Sequence, residues 1–265
     1  MRTIKLGSTG QEVVNLSRAL GFTTDKYTFD EELRVAVVQY QKRNNLDADG
    51  IVGMDTWFKI VLDDREKNHR SDTVTDYDYR VFGNVLDIDI PSLKAVREVE
   101  TAGRSGFNGD GSVTILFEAA VFYNQLKEVG LDPEKYISAH PNIIARKWDK
   151  SLYKGGTREW DRLREAIGIN EVAALKSASW GIFQTMGFNY EKAGCEDIFD
   201  FVKKMQRSQF WQFILGIEFM KNSGTLAYLR RHDWAGFAYR YNGPGYKANA
   251  YDTKLKNAYN RYGGR

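Results

Sequence analysis

The sequence predicts an all-α protein with two helical domains joined by a polar segment, and three observations support this. Apolar residues recur at helical spacing along most of the 265 residues. No stretch keeps the strict alternation of a half-buried strand, so little β-structure is expected. The helical pattern lapses once, at residues 63–85, where the composition becomes polar. We therefore predict a small domain at 1–62, a linker at 63–85 and a larger domain at 86–265.

The small domain is predicted to contain three short helices. The first carries Val13, Leu16 and Leu20 on one face and stops at Gly21. Asp30 is placed to cap the second helix. The third follows the string D-A-D-G-I-V-G-M-D-T-W at residues 47–57. A bundle of this size folds alone only marginally.

The larger domain is expected to pack several helices around one central helix. Residues 209–224 are apolar nearly all round, which indicates that central position. Residues 114–130 are predicted to form a second strong apolar helix, which Gly130 ends. Shorter helices are predicted at residues 170–176, 197–207, 225–231, 234–241 and 252–262.

Charge and composition narrow the classes of function. Residues 201–265 carry twelve Lys/Arg against three Asp/Glu, although the whole chain has a net charge of only +3. This basic end favours contact with an anionic envelope; without a dense basic block or a nucleic-acid motif, no nucleic-acid partner is expected. One cysteine, Cys195, excludes an intramolecular disulfide, and three scattered histidines argue against metal catalysis. The first residues lack the apolar region of a signal peptide, so we expect synthesis in a cytoplasm.

Glu100 is the leading candidate for a catalytic acid. Pro91 and Ser92 suit the start of a helix and Gly103 its end, and Glu100 shares the apolar face of that helix. Partial desolvation raises the pKa of a carboxyl group, and a carboxylic acid that stays protonated near neutral pH is what glycosidic cleavage requires. A single glutamate at a helix end is more often simply solvated, so other segments must support the assignment.

Three further strings carry polar groups suited to a sugar-binding cleft. They are L-F-E at residues 116–118, A-S-W-G-I-F-Q-T-M-G-F-N-Y at 178–190 and F-A-Y-R-Y-N-G-P-G-Y at 237–246. Ser179 and Gln184 offer neutral hydrogen bonds, and Gly181 lets a ligand approach the backbone. Tyr241 and Asn242 precede a glycine-proline turn that would fix their direction. Trp180, Phe183, Phe188 and Tyr246 could stack on sugars, although core filling is the commoner role of each ring.

The first domain resembles the peptidoglycan-binding type 1 domain, and the D-G-I-V-G-x-x-T-W string is the most specific part of the match. The resemblance implies wall contact through this string, whose residues are Asp49, Gly50, Val52, Gly53, Thr56 and Trp57. The family usually has Leu-Gln where this chain has Leu16-Ser17, which leaves the fold prediction intact.

The larger domain resembles the goose-type lysozyme and lytic transglycosylase superfamily. A glutamate, then S-x-G-x-x-Q, then Tyr-Asn before a glycine turn occur in the order of that superfamily. More closely, residues 90–265 resemble the N-acetylmuramidase domain of modular phage endolysins, with Val99-Glu100-Thr101 where V-E-S is typical. The resemblance implies a lysozyme-like fold, Glu100 as general acid, a cleft lined by the S-x-G-x-x-Q and Tyr-Asn segments, and no cofactor or metal.

The resemblance also implies a biological role. It indicates a protein made in the host cytoplasm, released by a phage holin, and acting on the wall in the periplasm to lyse the host. We expect the protein to be a monomer. Two alternatives stay open: a lytic transglycosylase that leaves 1,6-anhydro ends, and a non-catalytic wall-binding protein. Glu118 is either a second catalytic carboxylate or a structural acid, and we favour a structural or substrate-positioning role. The spacing of acids that separates inverting from retaining hydrolysis is not readable from sequence.

Overall fold

The structure is a computed structural model that describes residues 1–68, 71–101, 103 and 105–264. The chain divides into two compact units. The first consists of Met1–Ser71 and Thr75–Leu93, and the second of Asp72–Val74 and Lys94–Arg265. Both units are mainly helical, as predicted, and a three-stranded sheet in the second is the exception.

Within its described residues, the first unit contains four complete helices, α1 (Gln11–Ala19), α2 (Glu31–Arg43), α3 (Met54–Asn68) and α4 (Asp76–Leu86). The Asp30 side chain accepts a hydrogen bond from the Leu33 N–H, so it caps α2 as predicted. Val13 and Leu16 are fully buried, and Gly21 follows α1 with a φ of 86°. The three-helix pattern was therefore readable from sequence, whereas α4 was not expected.

The D-G-I-V-G string is held by one buried amide. The Gln41 side chain, 1% exposed, donates to Asp49 Oδ1, to the Ile51 carbonyl and to Thr56 Oγ1, and its oxygen accepts from the Gly50 N–H. Buried amides need such partners, so the string has a strong structural reason for its composition. Val52, Thr56 and Trp57 are buried and Gly53 is partly buried, which leaves Asp49 as the exposed member of the predicted set.

Most of the segment predicted as a linker is helical. α3 continues to Asn68, and α4 begins with a reciprocal capping box between Thr75 and Asp78. Arg65 Nε donates to Asp78 Oδ1 at 2.5 Å, and both side chains are buried at 2% and 0% exposure. This buried ion pair explains the misreading, because its two charged residues occupy core positions where a helical pattern would show apolar ones.

The second unit contains the remaining helices of the described chain. Helix α5 (Ile90–Thr101) enters it from the first unit. The others are α6 (Ala119–Glu128), α7 (Glu134–Ile137), α8 (Arg158–Ile167), α9 (Glu171–Lys176), α10 (Ile198–Arg207), α11 (Gln209–Asn222), α12 (Leu226–Arg230), α13 (Trp234–Asn242) and α14 (Tyr251–Arg261). Short 3-10 turns lie at Lys150–Leu152, Gly181–Phe183, Gly187–Asn189 and Pro244–Asn249. Nine of the fourteen α11 residues are buried, so the predicted central helix is confirmed.

A small antiparallel sheet occupies part of the segment predicted as one long helix. Its strands β1 (Ile115–Phe117), β2 (Ala178–Trp180) and β3 (Thr185–Met186) lie in that order, with Leu116 opposite Ser179. The prediction of a helix at 114–130 is therefore wrong before Ala119. Ile115 and Phe117 suit a strand, and three residues are too few to show alternation. Glu118 consequently lies at the N-cap of α6, between the strand and the helix, and not within a helix as the prediction for 114–130 placed it.

Candidate active site

Glu100 lies in the last turn of α5. Asp89 Oδ1 accepts the Ser92 N–H at the start of this helix, and Gly103, with a φ of 74°, donates to the Glu98 carbonyl at its end. Asn242 Nδ2, at the end of α13, donates to Glu100 Oε1 at 3.2 Å. Burial raises the pKa of Glu100 from 4.5 to about 8, so the carboxyl is mainly protonated at neutral pH.

Two tyrosines lie within electrostatic reach of this acid. Burial raises the pKa of Tyr241, and the charge of Glu100 raises it further. Burial also raises the pKa of Tyr251, followed by the charge of Glu100 and, more weakly, that of Glu118. The Tyr251 hydroxyl is therefore within electrostatic reach of both candidate carboxyls. Sequence reasoning missed Tyr251; the available signal was its position six residues after Gly245, the last residue of the glycine-proline turn.

The S-x-G-x-x-Q string forms an internally bonded unit. The Ser179 hydroxyl donates to Gln184 Oε1 at 2.9 Å, and Gln184 Nε2 donates to the Gly181 carbonyl at 2.8 Å. Gln184 has a φ of 45°, a left-handed conformation that non-glycine residues adopt at a cost of about 1–3 kcal/mol. Such strain persists where the surroundings hold the residue, and here the bonds to Ser179 and Gly181 hold it.

Gly181 has a different reason for being glycine from the one predicted. It is buried, its φ is 68°, and a Cβ there would come within 2.8 Å of the Gln212 side chain. Gln212 itself is fully buried and accepts a hydrogen bond from the Ile182 N–H. The missing side chain thus makes room for a buried amide of α11.

Tyr241 joins the two strings that the resemblance brings together. Its hydroxyl donates to the Phe183 carbonyl at 2.9 Å, immediately before Gln184. Its ring is stacked on Phe237 at 5.1 Å and meets Phe219 edge-on. These contacts fix the end of α13, from which Asn242 reaches Glu100.

Trp180 and Phe183 are core residues. Trp180 is 0% exposed, donates to the Leu175 carbonyl, and meets Trp160 and Phe201 edge-on. Phe183 is 1% exposed and packs on Phe213. The prediction that these two rings stack on sugars is therefore wrong, because their faces are covered by protein. Among the other predicted stacking rings, Tyr246 is buried and Phe188 is 43% exposed.

Glu118 is bonded by a tyrosine that the sequence analysis did not identify. The Tyr153 hydroxyl lies 2.8 Å and 2.9 Å from the two Glu118 carboxyl oxygens. Burial raises the pKa of Glu118, against the opposing effects of this hydrogen bond and of the charge of Arg162. A carboxyl with both oxygens engaged fits the favoured positioning role better than that of a free base.

A buried ion pair between Glu159 and Arg162 holds the backbone next to Glu118. Glu159 is fully buried and accepts hydrogen bonds from the N–H groups of Lys154, Gly155 and Phe117, and from Arg162. Burial acts to raise the pKa of Glu159, but these hydrogen bonds outweigh it and lower the pKa. Charged residues on the inner face of α8 also explain why that helix was not predicted.

The described residues give little support for a metal site, a membrane-spanning helix or a cysteine nucleophile. No group of three or more His, Cys, Asp or Glu lies close enough to hold a metal ion in the part of the chain that the structure covers. None of the described helices has the length and apolarity needed to cross a membrane. Cys195 is buried, and burial raises the pKa of its thiol to about 12, so it is a weak nucleophile at neutral pH.

A protonated carboxyl beside amide and phenol groups, in a mostly helical domain, defines the class of glycoside hydrolases that use a general acid. The N-acetylmuramidase family model matches residues 89–263, and a peptidoglycan binding domain model matches residues 11–60. The chain belongs to the N-acetylmuramidase family. It is thus a peptidoglycan-cleaving glycoside hydrolase with a domain that binds the same polymer.

A solved structure supports this relationship over nearly the full length. The chain is similar to the Burkholderia AP3 phage endolysin, with 34% sequence identity, coverage of 99% of both chains and a TM-score of 0.65. A search of curated proteins found no match.

Proposed function

We propose that this protein is a phage endolysin that hydrolyses the β-1,4 bond between N-acetylmuramic acid and N-acetylglucosamine, with Glu100 as general acid. The observation that carries the proposal is the hydrogen bond from Asn242 Nδ2 to Glu100 Oε1, at a carboxyl whose pKa burial raises to about 8. The similarity to the Burkholderia phage endolysin over 99% of both chains supports the biological role.

The chemistry begins with proton transfer from Glu100 to the leaving glycosidic oxygen. Asn242 Nδ2 donates to Oε1, so Oε1 acts as the carbonyl oxygen and the proton belongs on Oε2. As the C–O bond breaks, its electron pair goes to the protonated oxygen and positive charge develops on the sugar. Water then adds to the anomeric carbon and gives a reducing end, and the proton that this water loses returns Glu100 to its acid form.

Substrate positioning is assigned to the neutral groups around the acid. Ser179 and Gln184 are proposed to meet sugar hydroxyl and N-acetyl groups through the oxygen lone pairs that their mutual hydrogen bond leaves free. Tyr241 holds the end of α13, from which Asn242 donates to Glu100. Glu118 is given a positioning role, because Tyr153 bonds both of its carboxyl oxygens. Because Ser179 and Gln184 carry no positive charge, they do not lower the pKa of Glu100.

The binding domain is proposed to tether the enzyme to its insoluble substrate, which raises the local substrate concentration. The basic segment 201–265 is proposed to contact the anionic envelope, with no role for nucleic acid. We propose a monomer that is made in the host cytoplasm and reaches the periplasm after holin-dependent release. Holin dependence is testable by expressing the protein in a host with and without a membrane-permeabilising phage protein.

Digestion of purified cell walls tests the proposal directly. We expect the protein to clear a wall suspension and to generate new reducing ends in proportion to clearing. Walls that bind the protein without clearing or new reducing ends, over pH 5–8, would instead support a non-catalytic wall-binding protein.

The pH dependence of the reaction should follow the protonation of Glu100. Its folded pKa of about 8 lies above the ordinary value of 4.5, so the active, protonated form predominates below pH 8 and is lost above it. We expect kcat/KM on soluble peptidoglycan fragments to fall about tenfold per pH unit above that value. A profile whose basic limb lies near pH 5 would show that another group, or an unshifted Glu100, controls the reaction.

A further inference from the structure

Trp148 is an exposed aromatic side chain that the reaction outlined above does not use. It is 64% exposed in the loop before the Lys150–Leu152 turn. Its indole Nε1 donates to the Tyr153 hydroxyl at 2.7 Å, and the two rings meet edge-on with centroids 6.5 Å apart. An exposed indole whose N–H is already bonded keeps its position while its apolar surface stays open to solvent.

A hydrogen-bond chain connects this ring to Glu118. Trp148 donates to the Tyr153 hydroxyl, and that hydroxyl bonds both oxygens of Glu118. The charge of Glu118 in turn acts on Tyr251, which also senses the charge of Glu100. The exposed indole therefore lies two hydrogen bonds from Glu118, a carboxyl within electrostatic reach of the same tyrosine as the proposed acid.

The loop that carries Trp148 is anchored on both sides of Tyr153. Asp149 Oδ1 accepts the N–H and the hydroxyl of Ser151 at 2.8 Å and 2.7 Å. The N–H groups of Lys154 and Gly155 donate to the fully buried Glu159 at 2.6 Å and 2.8 Å. The position of the ring is therefore set by the fold, and a ligand that used it would not have to order the loop first.

The charge around the ring is mostly positive. Lys147, Lys150 and Lys154 are exposed in the same loop, and Asp149, the acid within residues 147–154, is occupied by Ser151. A glycan strand that carries stem peptides combines apolar sugar faces with carboxylates. Such a strand fits an open indole with flanking ammonium groups better than an uncharged polysaccharide does.

We propose that Trp148, flanked by Lys147, Lys150 and Lys154, is an outer subsite that stacks on a sugar of a stem-peptide-bearing glycan strand leading to Glu118. This inference rests on the proposed function and extends it to substrate selection. Tyr153 acts as a positioning residue, since it holds the indole on one side and Glu118 on the other.

The test compares KM and kcat of single variants on soluble peptidoglycan fragments. Trp148→Ala is expected to raise KM about tenfold with kcat changed less than twofold, because the ring contributes binding and not proton transfer. Trp148→Phe keeps a ring but loses the hydrogen bond to Tyr153, so its KM should lie between those of the wild type and Trp148→Ala. Phe199→Ala is the matched control, since it removes a ring that is 46% exposed on α10, and it should leave KM unchanged.

The proposed role of the three lysines is tested with glycan strands from which the stem peptides have been removed. The triple change of Lys147, Lys150 and Lys154 to Gln should raise KM on peptide-bearing strands only, whereas Trp148→Ala should weaken both substrates. If wild-type enzyme cleaves walls and Trp148→Ala has the KM of wild type, the subsite is wrong while the proposed function stands. If the triple variant affects both substrates equally, the lysines do not recognise stem peptides. Absence of cleavage by the wild type would instead overturn the proposed function.

Discussion

Replacing Glu100 with glutamine is expected to lower the rate of wall cleavage by at least about 10²–10⁴-fold, the usual contribution of general acid catalysis. Glutamine keeps the shape of the side chain and can still meet Asn242, but it has no proton to give to the leaving oxygen. The measurement is the initial rate of release of soluble fragments, with circular dichroism and wall adsorption recorded for the same protein. Both of these should match the wild type.

Glu98→Gln is the matched control, because it lies two residues away on the same helix. Glu98 is bonded to Arg261 and lies apart from the Glu100–Asn242 contact, so its loss removes only a surface ion pair. Its rate should stay within about twofold of wild type. Glu118→Gln should cost less than Glu100→Gln. A folded Glu100→Gln protein with near-normal turnover would falsify the assignment and transfer attention to Glu118.

The same substitution should change the pH dependence of stability. In the folded protein the pKa of Glu100 is about 8, above the ordinary 4.5, so its contribution to stability is full below about pH 4.5 and declines as pH rises towards 8. Glu100→Gln has no such ionisation. We therefore expect its Tm to match that of the wild type in acid and to exceed it increasingly between pH 5 and 8.

Replacing Asp78 with alanine is expected to destabilise the first unit by about 3–5 kcal/mol, the usual cost of removing one partner from a buried ion pair. Arg65, 2% exposed, would lose the carboxylate that Nε contacts at 2.5 Å. The capping box of α4 would be lost as well, since Asp78 accepts the Thr75 N–H at 2.7 Å. The pair belongs to the first unit, whereas Glu100 belongs to the second, so the expected effect is on folding and wall adsorption.

Hydrogen exchange of the full chain resolves this effect to the helices concerned. Amides of α3 and α4 should exchange at least about a hundredfold faster in Asp78→Ala than in wild type, because local opening becomes less costly. Glu31→Ala, which breaks an exposed ion pair with Arg34 in the same unit, should leave those rates unchanged. Equal exchange in Asp78→Ala and wild type would show that the pair does not hold these helices together.

The positions of Glu100 and Asn242 at the ends of their helices were readable from sequence because local rules determine them. Glu100 shares the apolar face of α5, Gly103 ends that helix, and Asn242 stands directly before a glycine turn. Each of these signals lies within one helix or one turn. Their meeting in space, with Asn242 bonded to Glu100 across 142 positions of sequence, was supplied by the resemblance alone.

The rest of the site depended on contacts that no local pattern encodes. β1 is only three residues long, and it pairs with a strand more than sixty residues later. Tyr153 reaches Glu118 from a loop that has no hydrophobic periodicity. Trp180 is fully buried whereas Trp148 is exposed, and only their tertiary surroundings distinguish these two residues. Helices α4 and α8 were not predicted because buried ion pairs interrupt the apolar pattern. Arg65 and Glu159, for example, occupy core positions where that pattern requires apolar residues.

Mass spectrometry of wall fragments released in heavy-oxygen-labelled water tests the central claim most directly. Hydrolysis with Glu100 as the acid adds water to the anomeric carbon, so the account predicts reducing-end N-acetylmuramic acid that carries one labelled oxygen. A lytic transglycosylase closes the sugar on its own hydroxyl group. Unlabelled 1,6-anhydro ends as the main product would therefore contradict the hydrolase assignment.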